Sequence, residues 1–325
     1  MTKSTLLSGR REFLFLYDIK MGNPNGDPDE NRPRILPDGT HYVTDVRLKR
    51  FVRDFLKMKG QTILVDDIEG KTVNLTGRVV HYLQSKDKLS VDGQELVEVL
   101  LDAFIDARLF GSSFAFKEGK YQDKDGHDQT FKRATVPKTM TGAVQINMGE
   151  VLHRAEEVDI LGTSVFSSSE DKTQGTFTNY YGLRYALIGF SGIGNEHSAA
   201  ISRMTNQDYE TLLTALWHGV RSAGNTRTKT GQIPRLLLSL EYQPGEEFQV
   251  GRLHDYVQLL PAEGKEEKAW DSPKDYRLDL SRLITWLEKH HRRIEQIRYE
   301  ISPDMNVTHE IPASWTCLNA EDRTI

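Results

Sequence analysis

Residues 22–39 read GNPNGDPDENRPRILPDG and hold four prolines and three glycines. Proline removes a backbone donor, and glycine is entropically costly in a regular element. This run can therefore be neither helix nor ladder strand, and must be an extended loop. Its two flanks have strong character. Residues 12–21, EFLFLYDIKM, are aromatic and aliphatic β-formers and predict a central strand with both faces covered. On the far side Thr44 suits a helix N-cap, and Val46, Leu48, Phe51, Val52, Phe55 and Leu56 give the following helix an apolar side. Arg47, Arg50 and Arg53, spaced i, i+3, i+6, stand roughly in a row on that helix.

Further along, one helix is expected from Gly93 to about Leu109, and a polar exposed loop over 117–133. Residues 138–149 alternate like a strand. The Ser-, Thr- and Gly-rich stretch 162–179 suits a protruding hairpin. Leu183–Phe190 reads as a strand, and Thr205 with Asp208 as a capping box opening a helix through Val220. Pro234–Tyr242 reads as another strand, and Asp279–Ile297 as a last helix. The order strand, helix, irregular middle, strands, helix, strand fits an α+β core of β-α-β-β-α-β type with large insertions, in one domain.

Composition excludes several classes. Hydrophobic residues are 38% of the 325 and charged residues 27%, as in an ordinary soluble chain. No apolar run is long enough to span a bilayer, and the N-terminal residues lack the apolar core of a secretory signal. The single cysteine, Cys317, rules out an internal disulfide and a cysteine-built zinc site, so a reducing cytoplasm is the expected setting.

Catalytic signals are weak. Asp27-Pro-Asp29-Glu-Asn31 imitates the start of a calcium loop, but Arg32 and Asp38 stand where that loop needs glycine and glutamate. Gly70-Lys71-Thr72 lacks the first P-loop glycine, and Gly192-x-Gly194 lacks a third glycine. There is no HExxH and no GxSxG. No catalytic residue, metal or cofactor is expected.

Binding signals are stronger. Lys+Arg total 42 against 47 Asp+Glu, a net charge of −5, so only the local distribution of charge can favour a polyanion. Residues 221–235, RSAGNTRTKTGQIPR, hold Arg221, Arg227, Lys229 and Arg235 and no acid, with small residues that allow close backbone approach. The loop after the first strand offers Asn23, Asn25, Arg32, Arg34 and the amides around Gly22 and Gly26, groups suited to phosphate oxygens. A stiff proline loop with surface arginines would look the same. No RNP motif with stacking aromatics is present, so any RNA would be held through loops and helix edges, by its backbone.

Six strings together resemble one family. GNPNGDPDENRPR (22–34) and VTDVRLKRFVRDFL (43–56) are long and distinctive. DARLFG (106–111), TGAVQINMGEVLHR (141–154), TNYYGLRYALIGFSG (178–192) and RSAGNTRTKTGQIPRLL (221–237) are looser. In order and extent they resemble the backbone subunit of type I CRISPR Cascade complexes, the Cas7 family of the RAMP superfamily, in its Csh/Csd-type branch. The resemblance implies a modified ferredoxin-like (RRM-like) palm with fingers inserted at about 58–135 and a thumb hairpin at about 160–182. It implies a non-catalytic scaffold that polymerises along CRISPR RNA and presents the guide for target DNA pairing. The implied partners are CRISPR RNA, other copies of the chain, the five-prime-end cap, large, small and RNA-processing subunits, and target DNA, with no membrane. Carried over by position, Asn23, Asn25, Gly26, Arg32 and Arg34 would line the RNA groove, and Arg47 and Arg50 would face phosphate. Gln145 would also touch RNA. Val165, Phe166, Thr176 and Phe177 are candidate wedge residues of the thumb, and Arg221, Asn225, Thr226, Arg227 and Lys229 would grip the backbone of a neighbouring nucleotide. A second reading, a metal-dependent target-RNA ribonuclease using Asp27, borrows the role of an aspartate in related type III subunits.

Overall fold

The first strand is buried from Arg11 to Ile19, on both faces at once. In the computed structural model, which describes residues 5–122, 126–132, 139–163, 177–223, 229–262, 264–319 and 322, the chain begins with β1 (Arg11–Gly22), β2 (Tyr42–Val43) and α1 (Asp45–Met58). Next come α2 (Leu75–Ser85), α3 (Gly93–Ala103), α4 (Ile105–Phe110), β3 (Gly111–Ser113), β4 (Gly119–Gln122), β5 (Asp128–Phe131) and β6 (Thr139–Thr141). β7 (Val144–Ile146), β8 (Gly149–Val151), β9 (Glu157–Thr163) and the long β10 (Phe177–Gly194) lead to α5 (Glu196–Ser202) and α6 (Asn206–Ser222). β11 (Ile233–Tyr242), β12 (Gln258–Pro261), β13 (Tyr276–Asp279), α7 (Ser281–Lys289), β14 (Ile294–Ile301) and β15 (Thr316–Cys317) complete the order.

β1 lies between β10 and β11, antiparallel to both, in a mixed sheet of order β15-β14-β11-β1-β10-β8-β2. Alternation along a strand sends successive side chains to opposite faces. Phe13, Phe15, Tyr17 and Ile19 meet Leu48, Phe51, Val52 and Phe55 of α1 and Leu212, Leu216 and Val220 of α6. Leu14 and Leu16 meet a second layer that includes Trp270, Tyr276, Leu278, Leu283 and Leu287. Neither face of β1 is open. The expectation of a covered central strand holds, and so does the N-cap: Thr44 Oγ accepts from the Arg47 amide. Val46, expected on the apolar side of α1, is 66% exposed instead.

A third core, built around Val79, Leu83, Leu96, Leu100, Phe104, Phe114 and Phe131, lies within 64–140. It explains two departures from the expected elements. The helix expected over 93–109 breaks at Phe104, whose extended backbone separates α3 from α4. The break lets Phe104 fill this third core while Ile105 and Leu109 fill the core under α1. The stretch 117–133 is not a plain exposed loop, because β4 and β5 pair within it and Phe131 is buried.

Two further expectations are corrected. The alternating 138–149 is not one strand: β6 pairs with β3, β7 with β10, and β8, starting at Gly149, lies between β10 and β2. The last helix stops at Lys289, and Ile294–Ile301 is a strand paired with β11. Ile294 and Ile297 are spaced as on a helix, but pairing with β11 decides their conformation. The capping box at Thr205 and Asp208 is present as expected. β9 pairs with residues 177–183 of β10 as the root of a hairpin, and residues 164–176 lie outside the described residues.

Buried Asp106 ties the third core to α1. Its oxygens accept from the Leu64 amide at 2.7 Å, the Val65 amide at 3.1 Å and Arg53 Nε at 2.9 Å. Asp106→Ala would strand a guanidinium and two amides, so a loss of about 3 kcal/mol of unfolding free energy is expected. Urea denaturation followed by circular dichroism measures it, and an unchanged midpoint would refute the tie.

Candidate nucleic-acid interface

The loop that leaves β1 is ordered by its own polar groups. Asp27 Oδ1 accepts from the amides of Asp29 and Glu30, both at 2.8 Å, and Oδ2 from the Arg32 amide at 3.1 Å. These bonds, that from Glu30 foremost, hold the Asp27 carboxyl below its ordinary pKa. The Asp27 amide donates to the Arg32 carbonyl and Gly26 bridges to Pro33, closing a turn inside which the buried Asn23 donates Nδ2 to the Asn31 carbonyl at 2.6 Å. A Cβ at position 26 would stand 1.9 Å from Asn31 Oδ1, so the Asn31 side chain would have to move to admit one.

Four residues of this loop, Asn23–Gly26, form a hub for three cations. Lys229 Nζ donates to the Asn23 carbonyl. Arg34 Nε donates to the Gly26 carbonyl at 3.2 Å. Asn25 Oδ1 accepts from both the amide and the hydroxyl of Thr44 at 2.9 Å, and the Thr44 hydroxyl caps the Arg47 amide at 3.3 Å. Arg47 then lies with its guanidinium 4.4 Å from the Phe51 ring centroid. Its Nε is buried without a hydrogen-bond partner, as are the Tyr17 hydroxyl beneath it and Asn23 Oδ1. Among the described residues no carboxylate pairs with Arg34, Arg47 or Lys229. Burial, with Arg47 alongside, brings the Lys229 ammonium down to a pKa of about 7 from an ordinary 10.5. Burial lowers Arg47 as well. Donors and cations gathered with no ion-paired carboxylate among the described residues are the chemistry an anion would complement, since buried charge is costly until paired.

The other expected residues are placed differently. Arg50 is held by Asp54, by Asp66 at 3.5 Å and by the Val65 carbonyl at 3.3 Å, so its charge is balanced within the chain. Arg53, third in the row, is given to Asp106. Arg32 faces three acids rather than the hub. Gln145 pairs in register with Ile193, itself opposite Glu12, and so lies on the sheet face away from Arg47; its amide donates to the Gly142 carbonyl at 3.2 Å. Arg221 ends α6 with its guanidinium 5.9 Å from the Trp217 ring. Arg235, from the same basic run, is buried against Asp18 at 2.7 Å and takes no part in the hub. Val165, Phe166, Thr176, Asn225, Thr226 and Arg227 lie outside the described residues, and of Phe177 only the backbone, paired with Thr163, is described. Sequence reading missed Tyr17 because a tyrosine in an apolar strand looks like core. It missed the Thr44–Asn25 tie because nineteen positions separate the partners.

The sequence model of the family described as "CRISPR-associated protein Cas7" matches residues 9–281. A CRISPR-associated protein Cas7 from Haloferax volcanii is 34% identical over 299 residues, 89% of this chain and 85% of its own. Among solved structures, a chain of a CRISPR RNA-guided surveillance complex, pre-nicking, shares the fold with a TM-score of 0.51 at 12% identity, over 95% of both chains. This chain belongs to the CRISPR-associated Cas7 family. Among the described residues no helix is long and apolar enough to cross a membrane.

The lowered Lys229 pKa has a signed consequence. Between about pH 7 and 10.5 the unfolded chain carries a proton on this lysine that the folded chain has lost, so stability rises with pH across that window. Lys229→Met removes this contribution. Urea unfolding at pH 7, 8.5 and 10 should show wild type gaining on the variant as pH rises; a constant difference would refute the depressed pKa.

Proposed function

We propose that this chain is a non-catalytic CRISPR RNA-binding scaffold subunit that holds the guide by its sugar-phosphate backbone. The observation that carries this reading is the hub at Asn23–Gly26, from which Arg34, Arg47 and Lys229 extend with no carboxylate among the described residues. A phosphodiester is the complement of that site: an anion rich in acceptors, repeated at fixed spacing. The covered sheet supports the same reading, because β1 leaves no aromatic surface on which bases could stack. Contacts to backbone carry no sequence information, so any guide can be held and choice is left to pairing.

In this reading the strands β11-β1-β10-β8 with α1 and α6 are a ferredoxin-like palm, the third core is the fingers, and the β9–β10 hairpin is the thumb. Val165, Phe166, Thr176 and Phe177 are its wedge candidates, and Arg221, Asn225, Thr226 and Arg227 extend the grip begun at Lys229. Asn23, Asn25 and Gly26 shape the groove, and Arg50, held by its acids, and Gln145, on the opposite sheet face, stand outside it. Copies of the chain stack along the RNA beside the other Cascade subunits, in the cytoplasm, and present the guide to target DNA. Asp27 serves as a turn-former, its two oxygens accepting from backbone amides, which supports a scaffold over a ribonuclease.

Purified protein should carry RNA, seen as a 260/280 nm absorbance ratio that ribonuclease lowers. Arg47→Gln combined with Lys229→Gln should weaken RNA binding by about 10- to 100-fold and reduce the slope of log K against log salt by about 1.4, two single-strand phosphate contacts. The loss should be the same for unrelated guide sequences. Loss confined to one guide, or an unaltered salt slope, would overturn the reading.

A further inference from the structure

Arg32 lies in the same loop as the hub, yet its surroundings have the opposite charge. Its Nε donates to Glu30 at 2.8 Å, and its Nη1 lies 3.6 Å from Glu157 and 3.9 Å from Asp159. The guanidinium carbon Cζ lies over the Tyr181 ring, 3.8 Å from its centroid. Glu157 and Asp159 project from β9, Tyr181 from β10, and Asp159 and Tyr181 face each other in register. One side chain from the loop after β1 thus covers both strands at the root of the hairpin.

Other contacts join the same two pieces. The second oxygen of Glu157 is 3.1 Å from Nε2 of His41, at the far end of the loop. The Tyr180 hydroxyl donates to the Met21 carbonyl at 2.9 Å. Gly182 passes so close to Gly22 that a Cβ would lie 3.1 Å from its carbonyl carbon. Three carboxylates around one guanidinium leave an excess of negative charge, and an RNA phosphate brought there would be repelled. The planar face on an aromatic ring and the edge toward carboxylates are the geometry in which arginine, and not lysine, is held firmly.

We propose that Arg32 is a positioning residue and not an RNA ligand: it latches the root of the β9–β10 hairpin to the loop after β1, fixing where the hairpin stands relative to the cations on Asn23–Gly26. The functional weight of this latch rests on the reading of the hairpin as the part that acts on bound RNA. The latch itself is a property of the free chain.

Two variants separate a latch from a ligand. Arg32→Gln removes the cation, whereas Glu157→Gln with Asp159→Asn keeps the cation and removes the acids that hold it. A latch is broken by both. Amide hydrogen exchange at 157–161 and 179–183 should then quicken about tenfold in each, since a sheet root that loses its anchor opens locally. RNA affinity should fall in each. Arg32→Lys, which keeps the charge and loses the stacked plane, should restore part of the protection and part of the affinity. For a phosphate ligand the acid-free variant works in the other direction: freeing Arg32 would tighten RNA binding. Tighter binding by Glu157→Gln/Asp159→Asn, or exchange unchanged in Arg32→Gln, overturns the proposal. If the wild-type chain binds no RNA at all, the functional reading above falls, while the exchange measurement still decides whether Arg32 is a latch.

Discussion

The burial of β1 on both faces and its pairing on both edges constrain everything else in this structure. A strand enclosed in this way has one free direction, along its own axis, so the chain can become polar and irregular only where the strand ends. That end is where the loop 22–41 begins, where α1 starts on one side and where the β9–β10 hairpin departs from the other. The proposed binding surface is therefore located by the core. Within the loop, Asp27, Asn23 and Asn25 satisfy backbone groups that would otherwise need water.

How the charges are divided follows from the same geometry. Arg53, Arg50, Arg32 and Arg235 each lie within reach of carboxylates, and each joins two pieces of the molecule: α1 to the third core, α1 to the 63–67 segment, loop to hairpin, and sheet strand to sheet strand. Among the described residues Arg34, Arg47 and Lys229 form no ion pair with a carboxylate; Arg34 and Lys229 donate to carbonyls and Arg47 lies over a ring. In an acidic chain this is a segregation, with cations that hold the structure ion-paired and the cations of the proposed site left without an ion pair among the described residues. A depressed lysine beside an arginine is the electrostatic trace of that arrangement, since two cations side by side and partly dry lack the anion that would stabilise them.

Much of the scaffold is legible in the residues. EFLFLYDIKM announces a covered strand because one alternating set, Phe13, Phe15, Tyr17, Ile19 and Met21, is wholly apolar and the other carries Leu14 and Leu16. Thr44 and the Thr205–Asp208 box announce helix starts because their side chains satisfy amides within three positions. Errors fell where a distant partner overrides a local pattern. Ile294 and Ile297 have helical spacing, yet β11 offers a complete hydrogen-bonding edge. Phe104 interrupts a good helix because two different cores claim its neighbours. Residues 58–135 give a weaker local signal because the core there is assembled from short helices and strands far apart in sequence.

The chain's residues by themselves determined the covered strand, the stiff proline loop, the helix it leads to and, through six ordered strings, the family. They also nominated the arginines, but a list of cations does not say which of them are spent. Only the tertiary structure separates Arg47 and Lys229, near each other and without an ion pair among the described residues, from Arg50, Arg32 and Arg235, whose carboxylates arrive from elsewhere in the chain. The physical reason is that electrostatic pairing acts over a few ångströms in space, and sequence separation says little about that distance.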